Sequence, residues 1–101
     1  MDQFSFCVGG DTVNIVVGAA SSAVVFRDNG PGQPDTVRLA NIGTLISYVR
    51  FGIAGVVVTT AGIPILANSV ECFSVPTGCT HIAAIGSGAG STLFVTPGSG
   101  M

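Results

Sequence analysis

The sequence predicts an all-β chain, an antiparallel β-sandwich or jelly roll of about eight short strands. Three observations carry this prediction. Short runs rich in Val, Ile, Phe, Leu and Thr recur along the chain, each closed off by Gly, Pro, Asn or Asp, which is the pattern of strands bounded by turns. Gly or Pro interrupts almost every window of about a dozen residues, so helical spacing is hard to sustain. Residues 36–51 alternate between apolar and polar positions, the signature of a half-buried strand.

Taken in order, residues 4–8 form a first candidate strand, ended by Gly9-Gly10-Asp11. Residues 12–17 follow, with Val13, Ile15 and Val17 on one face and Thr12, Asn14 and Val16 on the other. After the small-residue stretch 18–22, residues 23–26 make a third strand. Residues 27–35, RDNGPGQPD, gather turn formers and charges and read as the longest exposed loop. The alternating region then divides in two. Residues 36–41 place Val37 and Leu39 inward and Arg38 outward, Asn41-Ile42-Gly43 makes a turn, and residues 44–51 set Leu45, Ser47, Val49 and Phe51 against Ile46, Tyr48 and Arg50. Residues 56–60 and 63–66 are shorter apolar runs, read as an edge strand and its crossing. Residues 69–75, 80–85 and 91–96 complete the set. Pro76-Thr77-Gly78 and the glycine-rich 86–90 separate these last three, which reads as tight connections with a hairpin tip at the second.

The chain is one domain, residues 1–101, long enough to sustain a core without staples. Residues 1–26 either complete this sandwich or act as an N-terminal strand or arm exchanged with a neighbour. The apolar fraction is 48%, but charged residues make up 8%, against about 25% in typical domains. Lysine is absent, the cations are Arg27, Arg38 and Arg50, and the net charge is −2. A nucleic-acid partner needs a basic stripe with stacking aromatics, and this composition excludes one. The start of the chain lacks a basic signal-peptide region. Residues 51–70 carry no charge, and the run is long enough to span a bilayer. Its glycines, Pro64 and the β-branched 56–60 favour strands and loops, so no membrane segment is expected.

The residue types that support catalysis do not assemble into a constellation. His81 is the single histidine, and no G-x-S-x-G elbow is present. Asp11, Asp28 and Asp35 fall in turns and Asp2 at a terminus, which leaves Glu71 without an acidic neighbour for paired-carboxylate chemistry. Cys79-x-His81 offers two metal-capable side chains, whereas a structural zinc site needs four. Gly86-Ser87-Gly88-Ala89-Gly90 has the spacing G-x-G-x-G, and too little chain follows for the βαβ unit of a dinucleotide site. The three cysteines, Cys7, Cys72 and Cys79, are an odd number, which reads as small buried thiols, although Cys72 and Cys79 flank a turn and fit adjacent strands. Catalytic, cofactor and metal residues are therefore all expected to be none, and the chain is expected not to be an enzyme or to take a small-molecule substrate. A charge-poor β domain must hide its apolar surface, which points to a subunit of a permanent assembly. A carbohydrate-binding sandwich is the alternative, with Tyr48 or Phe94 as a stacking platform.

Several of these strands also carry a family likeness. Thr36-Val37-Arg38-Leu39-Ala40-Asn41-Ile42-Gly43, Tyr48-Val49-Arg50-Phe51-Gly52, Ile63-Pro64-Ile65-Leu66, Ser69-Val70-Glu71-Cys72-Phe73-Ser74-Val75-Pro76, Thr80-His81-Ile82-Ala83-Ala84-Ile85 and Thr92-Leu93-Phe94-Val95-Thr96-Pro97-Gly98 together resemble small virion proteins of tailed bacteriophages. Within that group the resemblance is to head decoration, or cement, subunits. It covers residues 36–98 and implies a β-sandwich that binds the major capsid protein on the outside of an icosahedral head. It further implies a homo-oligomer, trimer or dimer, made in the host bacterial cytoplasm and located on the virion, without cofactor or catalytic residues. Fibre, neck and tail components are the related alternatives.

Overall fold

The computed structural model describes residues 7–8, 12–27, 35–88 and 90–99. Its strands are β1 (Cys7–Val8), β2 (Val13–Val17), β3 (Ser22–Val25), β4 (Thr36–Gly43), β5 (Ser47–Gly52), β6 (Ile63–Ile65), β7 (Ser69–Ser74), β8 (His81–Ile85) and β9 (Ser91–Ser99). Every pairing is antiparallel. One sheet runs β2-β9-β4-β7, with β1 beside β2 on the same edge of β9, and the second runs β3-β8-β5-β6. Counting β1 and β2 as one interrupted strand leaves eight strands, wound as a jelly roll between two sheets.

The interruption has a cause in the sequence. Val8 pairs with Gly98 and Val13 with Val95, while Thr96 and Pro97 pair with no described residue of β1 or β2. Pro97 lies within β9, the seventh of its 9 residues and between two neighbouring strands. The bond from Thr44 N to Gly90 O fixes the alternation on β9, so even-numbered residues bond β4 and odd ones turn toward β1 and β2. Pro97, which has no N–H to donate, thus turns its nitrogen to the side where no described residue of β1 or β2 pairs with it.

Alternation along the strands builds the core. Ile15 and Val17 of β2, Val37 and Leu39 of β4, Val49 of β5, Ile65 of β6, Ile82 and Ala84 of β8, and Leu93 and Val95 of β9 form one buried cluster. Phe26, Phe51 and Phe73 close one end by edge contacts, with ring centroids 6.0 and 6.5 Å apart. Burying each large aliphatic side chain contributes about 1.5–3 kcal/mol as an upper estimate.

A buried polar latch holds β4, β5 and β6 together. Asn41 is fully buried. Its Nδ2 donates to the carbonyls of Ile65 at 2.9 Å, Leu45 at 3.0 Å and Leu66 at 3.2 Å, and its Oδ1 accepts from Ser47 Oγ at 3.2 Å. Beside it, Ser91 Oγ accepts from Leu45 N and donates to Leu45 O. This arrangement corrects the expected turn at 41–43. Asn41 satisfies carbonyls of other segments of the chain, and β4 continues to Gly43, where φ is 145° and a Cβ would lie 2.2 Å from Gly90 O.

Other boundaries also differ. Residues 44–46 bend before β5 begins at Ser47, and 56–59 are irregular, with Val58 tucked into the interior. The edge strand is 63–65 and not 56–60, so the run read as the crossing is the strand itself. The largest correction concerns connectivity. β7, β8 and β9 do not pair with one another, and each link between them crosses from one sheet to the other. The glycine-rich 86–90 is thus a crossing between sheets and not a hairpin tip; Gly86 N donates to Gly18 O at 2.8 Å. The uncharged run 51–70 holds the end of β5, a loop, β6 and the start of β7. Among the described residues no helix is long and apolar enough to cross a membrane.

Candidate assembly surface

The outer face of the β2-β9-β4-β7 sheet carries the largest departure from an ordinary solvated surface. Register places its outward residues in rows: Val16, Thr92 and Ile42 in one, and Asn14, Phe94, Ala40 and Val70 in the next. Val16 is 73% exposed, Ile42 52% and Val70 48%. Among the described residues the charged side chain on this face is Arg38, in the following row between Thr96 and Cys72. An apolar stripe therefore crosses all four strands, where an antiparallel sheet normally turns polar side chains to water.

The strand edges are the second feature. β7 and β6 are open edges on one side of the sandwich, and β2 and β3 on the other. Natural sheets guard such edges with Lys, Pro, bulges or inward-pointing charges. β6 carries Pro64, and β7 carries Glu71, which shares the inner side of its strand with Phe73 but stands exposed at the rim. β2 and β3 contain neither proline nor charge. Near β6 a cavity of about 460 Å³ is lined by Val49, Phe51, Val58, Ile63 and Pro76 among others.

The residues singled out for chemistry are dispersed. His81 is half-buried on β8, with Nδ1 2.7 Å from Thr80 Oγ1. Cys79 lies in the connection before β8, and Arg27 Nε donates to its carbonyl at 2.7 Å. Among the described residues no three of His, Cys, Asp and Glu gather as a metal-binding group. Glycine-rich 86–90 leads into strand β9. Tyr48 is on the outer side of the β3-β8-β5-β6 sheet and Phe94 on the outer side of the other.

Cys72 and Cys79 are free thiols, half-exposed and not buried. Cys72 is on edge strand β7 and Cys79 outside any strand, so they do not occupy adjacent strands. Cys7 lies in β1. The expected strand at 4–8 falls partly, and the loop at 27–35 mostly, outside the described residues. Residues 13–17 and 22–25 pair with β9 and β8 of their own chain.

The alternation in β2 set Val16 on the face opposite Ile15 and Val17 from sequence alone. Ile42 escaped because it was read into a turn, and nothing local marks β7 as an edge.

No protein-family model matches the chain, and no curated protein matches it. Among solved structures it is similar to a protein of Bacillus endospore appendages, described as forming a novel family of disulfide-linked pili. The TM-score is 0.52 at 15% identity, covering 97% of this chain and 92% of that one. At that identity the likeness establishes the shared all-β fold.

Proposed function

We propose that this chain is a structural subunit that builds or reinforces a larger protein assembly by associating with copies of itself. The observation that carries this reading is the apolar stripe Val16, Ile42, Phe94 and Val70 on a sheet face where, among the described residues, the charged neighbour is Arg38. Water-facing sheets avoid such a stripe, and obligate interfaces require one. The likeness in fold to a protein of pilus-forming appendages supports the reading. Electron microscopy of the purified, concentrated chain is expected to show regular multimers or fibres. A uniform population of single 10 kDa particles in solution scattering at the same concentration would overturn it.

A more specific form is decoration of a tailed-phage head, with the major capsid protein as partner and the capsid exterior as location. The phage-like strand sequences favour it, since they fall on β4 to β9, the larger part of both sheets. Mass spectrometry of purified virions is then expected to find the chain in shell-stoichiometric copy number. A handful of copies would move it to the neck, tail or fibre, and none would remove the virion reading while leaving self-association in place.

A further inference from the structure

The proposed self-association has a definite seam. We infer that two copies pair edge to edge through β7, antiparallel about a two-fold axis at Cys72. This deepens the reading above and rests on it.

The backbone gives the first argument. Val75 N donates to Asp35 O at 2.9 Å, which fixes the alternation along β4 and β7. Ser69, Glu71 and Phe73 turn their peptide groups to β4, while Val70, Cys72 and Ser74 turn theirs to the open edge. Another strand can take up these outward groups without disturbing the existing sheet. β7 is the longest of the open edge strands, at 6 residues against 5 for β2, 4 for β3 and 3 for β6; its charge, Glu71, guards the edge only against registers that set it opposite another carboxylate.

Register supplies the second argument, by charge. With Cys72 opposite its copy, Val70 lies opposite Ser74 of the second copy and all three outward residues bond in both directions. Glu71 then faces Phe73 across the seam. Slipping the register one way engages fewer groups and sets Glu71 against its own copy, a like-charge pair that destabilises a sheet. Slipping it the other way leaves Val70 unpaired.

The surroundings give the third. Leu66 is 57% exposed and Ile63 42%, on the same side of the sandwich as β7. A second copy across the seam covers this rim.

Cys72 reports the pairing. On the two-fold axis its Cα lies about 5.5 Å from that of its copy, the spacing of a bonded antiparallel pair and within the roughly 4.4–6.8 Å range of disulfides. The test uses the full chain with Cys7→Ser and Cys79→Ser, treated with the azo oxidant diamide. Two Cys72 thiols form one S–S bond, releasing two protons and passing two electrons to the azo group, which becomes a hydrazine. A covalent dimer on a non-reducing gel is expected, absent with C72S.

By sedimentation the reduced C72S chain is expected to associate like the parent. C72K, which sets two ammonium groups on the axis, is expected to weaken association at least tenfold, the effect of about 1.4 kcal/mol. Unchanged circular dichroism in both variants keeps the comparison about the seam. Association that ignores C72K, or an absent Cys72 crosslink in an associated sample, would overturn this pairing and leave self-association standing. A chain that is monomeric throughout would overturn both.

Discussion

Replacing Asn41 tests how the two sheets are tied together. Its side chain is fully buried, and its amide supplies the carbonyls of Ile65, Leu45 and Leu66 while accepting from Ser47 Oγ. Asn41→Ala removes these contacts and opens a small void. Leu45 O keeps a partner in Ser91 Oγ at 2.9 Å, so the main losses fall on Ile65 O, Leu66 O and Ser47 Oγ. At about 1 kcal/mol for each group left under-satisfied, plus the void, the cost is about 3–4 kcal/mol. For a domain of this size that lowers Tm by roughly 12–30 °C. Asn41→Asp is the sharper perturbation because it keeps the shape and replaces the donor with an anion facing carbonyl oxygens. It is expected to destabilise at least as much as Ala at neutral pH, and to recover partly on acidification, when protonation restores one donor. Urea titration followed by circular dichroism at pH 7 and pH 5 measures both variants. An Asp variant as stable as the parent at pH 7 would refute the reasoning, since shape alone would then account for Asn41.

Two further predictions concern the corners. Gly43→Ala is expected to cost about 2–3 kcal/mol, because the added Cβ would lie 2.2 Å from Gly90 O and 2.6 Å from Ser91 Cα at a φ of 145°; thermal melts check this against Gly18→Ala, where the added Cβ meets no atom within 4 Å. Arg27→Ala is expected to loosen the 76–79 turn, since Arg27 donates to Cys79 O and Pro76 O and lies 5.9 Å from the Phe26 ring centroid. Maleimide labelling of Cys79 is expected to speed up several-fold relative to Cys72, an effect of about 1 kcal/mol in local opening.

Much of the fold was legible in the sequence, and the misreadings share one cause. Period-two alternation fixes which face a residue takes, so Val37 and Leu39 went inward and Arg38 outward as expected, and Val49 and Phe51 fell on the face opposite Arg50. Alternation does not name the partner strand. Short Gly and Pro connections therefore suggested hairpins among β7, β8 and β9, where the chain changes sheet at each link. Asn41 and Pro97 were misread for a related reason. Each is a turn former by propensity, and each is held within a strand by a non-local circumstance, three carbonyls of other segments for Asn41 and, for Pro97, a nitrogen turned to the side where no described residue of β1 or β2 pairs with it. The assembly surface was legible as a shortage of charge, but its outline was not, because Ile42 and Val70 come together only once β4 and β7 are paired.

The central claim is that this subunit associates with its own kind through apolar contact and strand pairing. Sedimentation velocity on the reduced chain, in dilute buffer and again in 1 M sodium chloride, tests it most directly. Screening shortens the Debye length to roughly 3 Å at that salt, whereas apolar burial is insensitive to it and is weakened by urea. Multimers are expected to persist in high salt and to dissociate in urea below the unfolding midpoint. Dissociation to monomers in 1 M sodium chloride alone would show that the few arginine and carboxylate side chains carry the association, and would contradict the account.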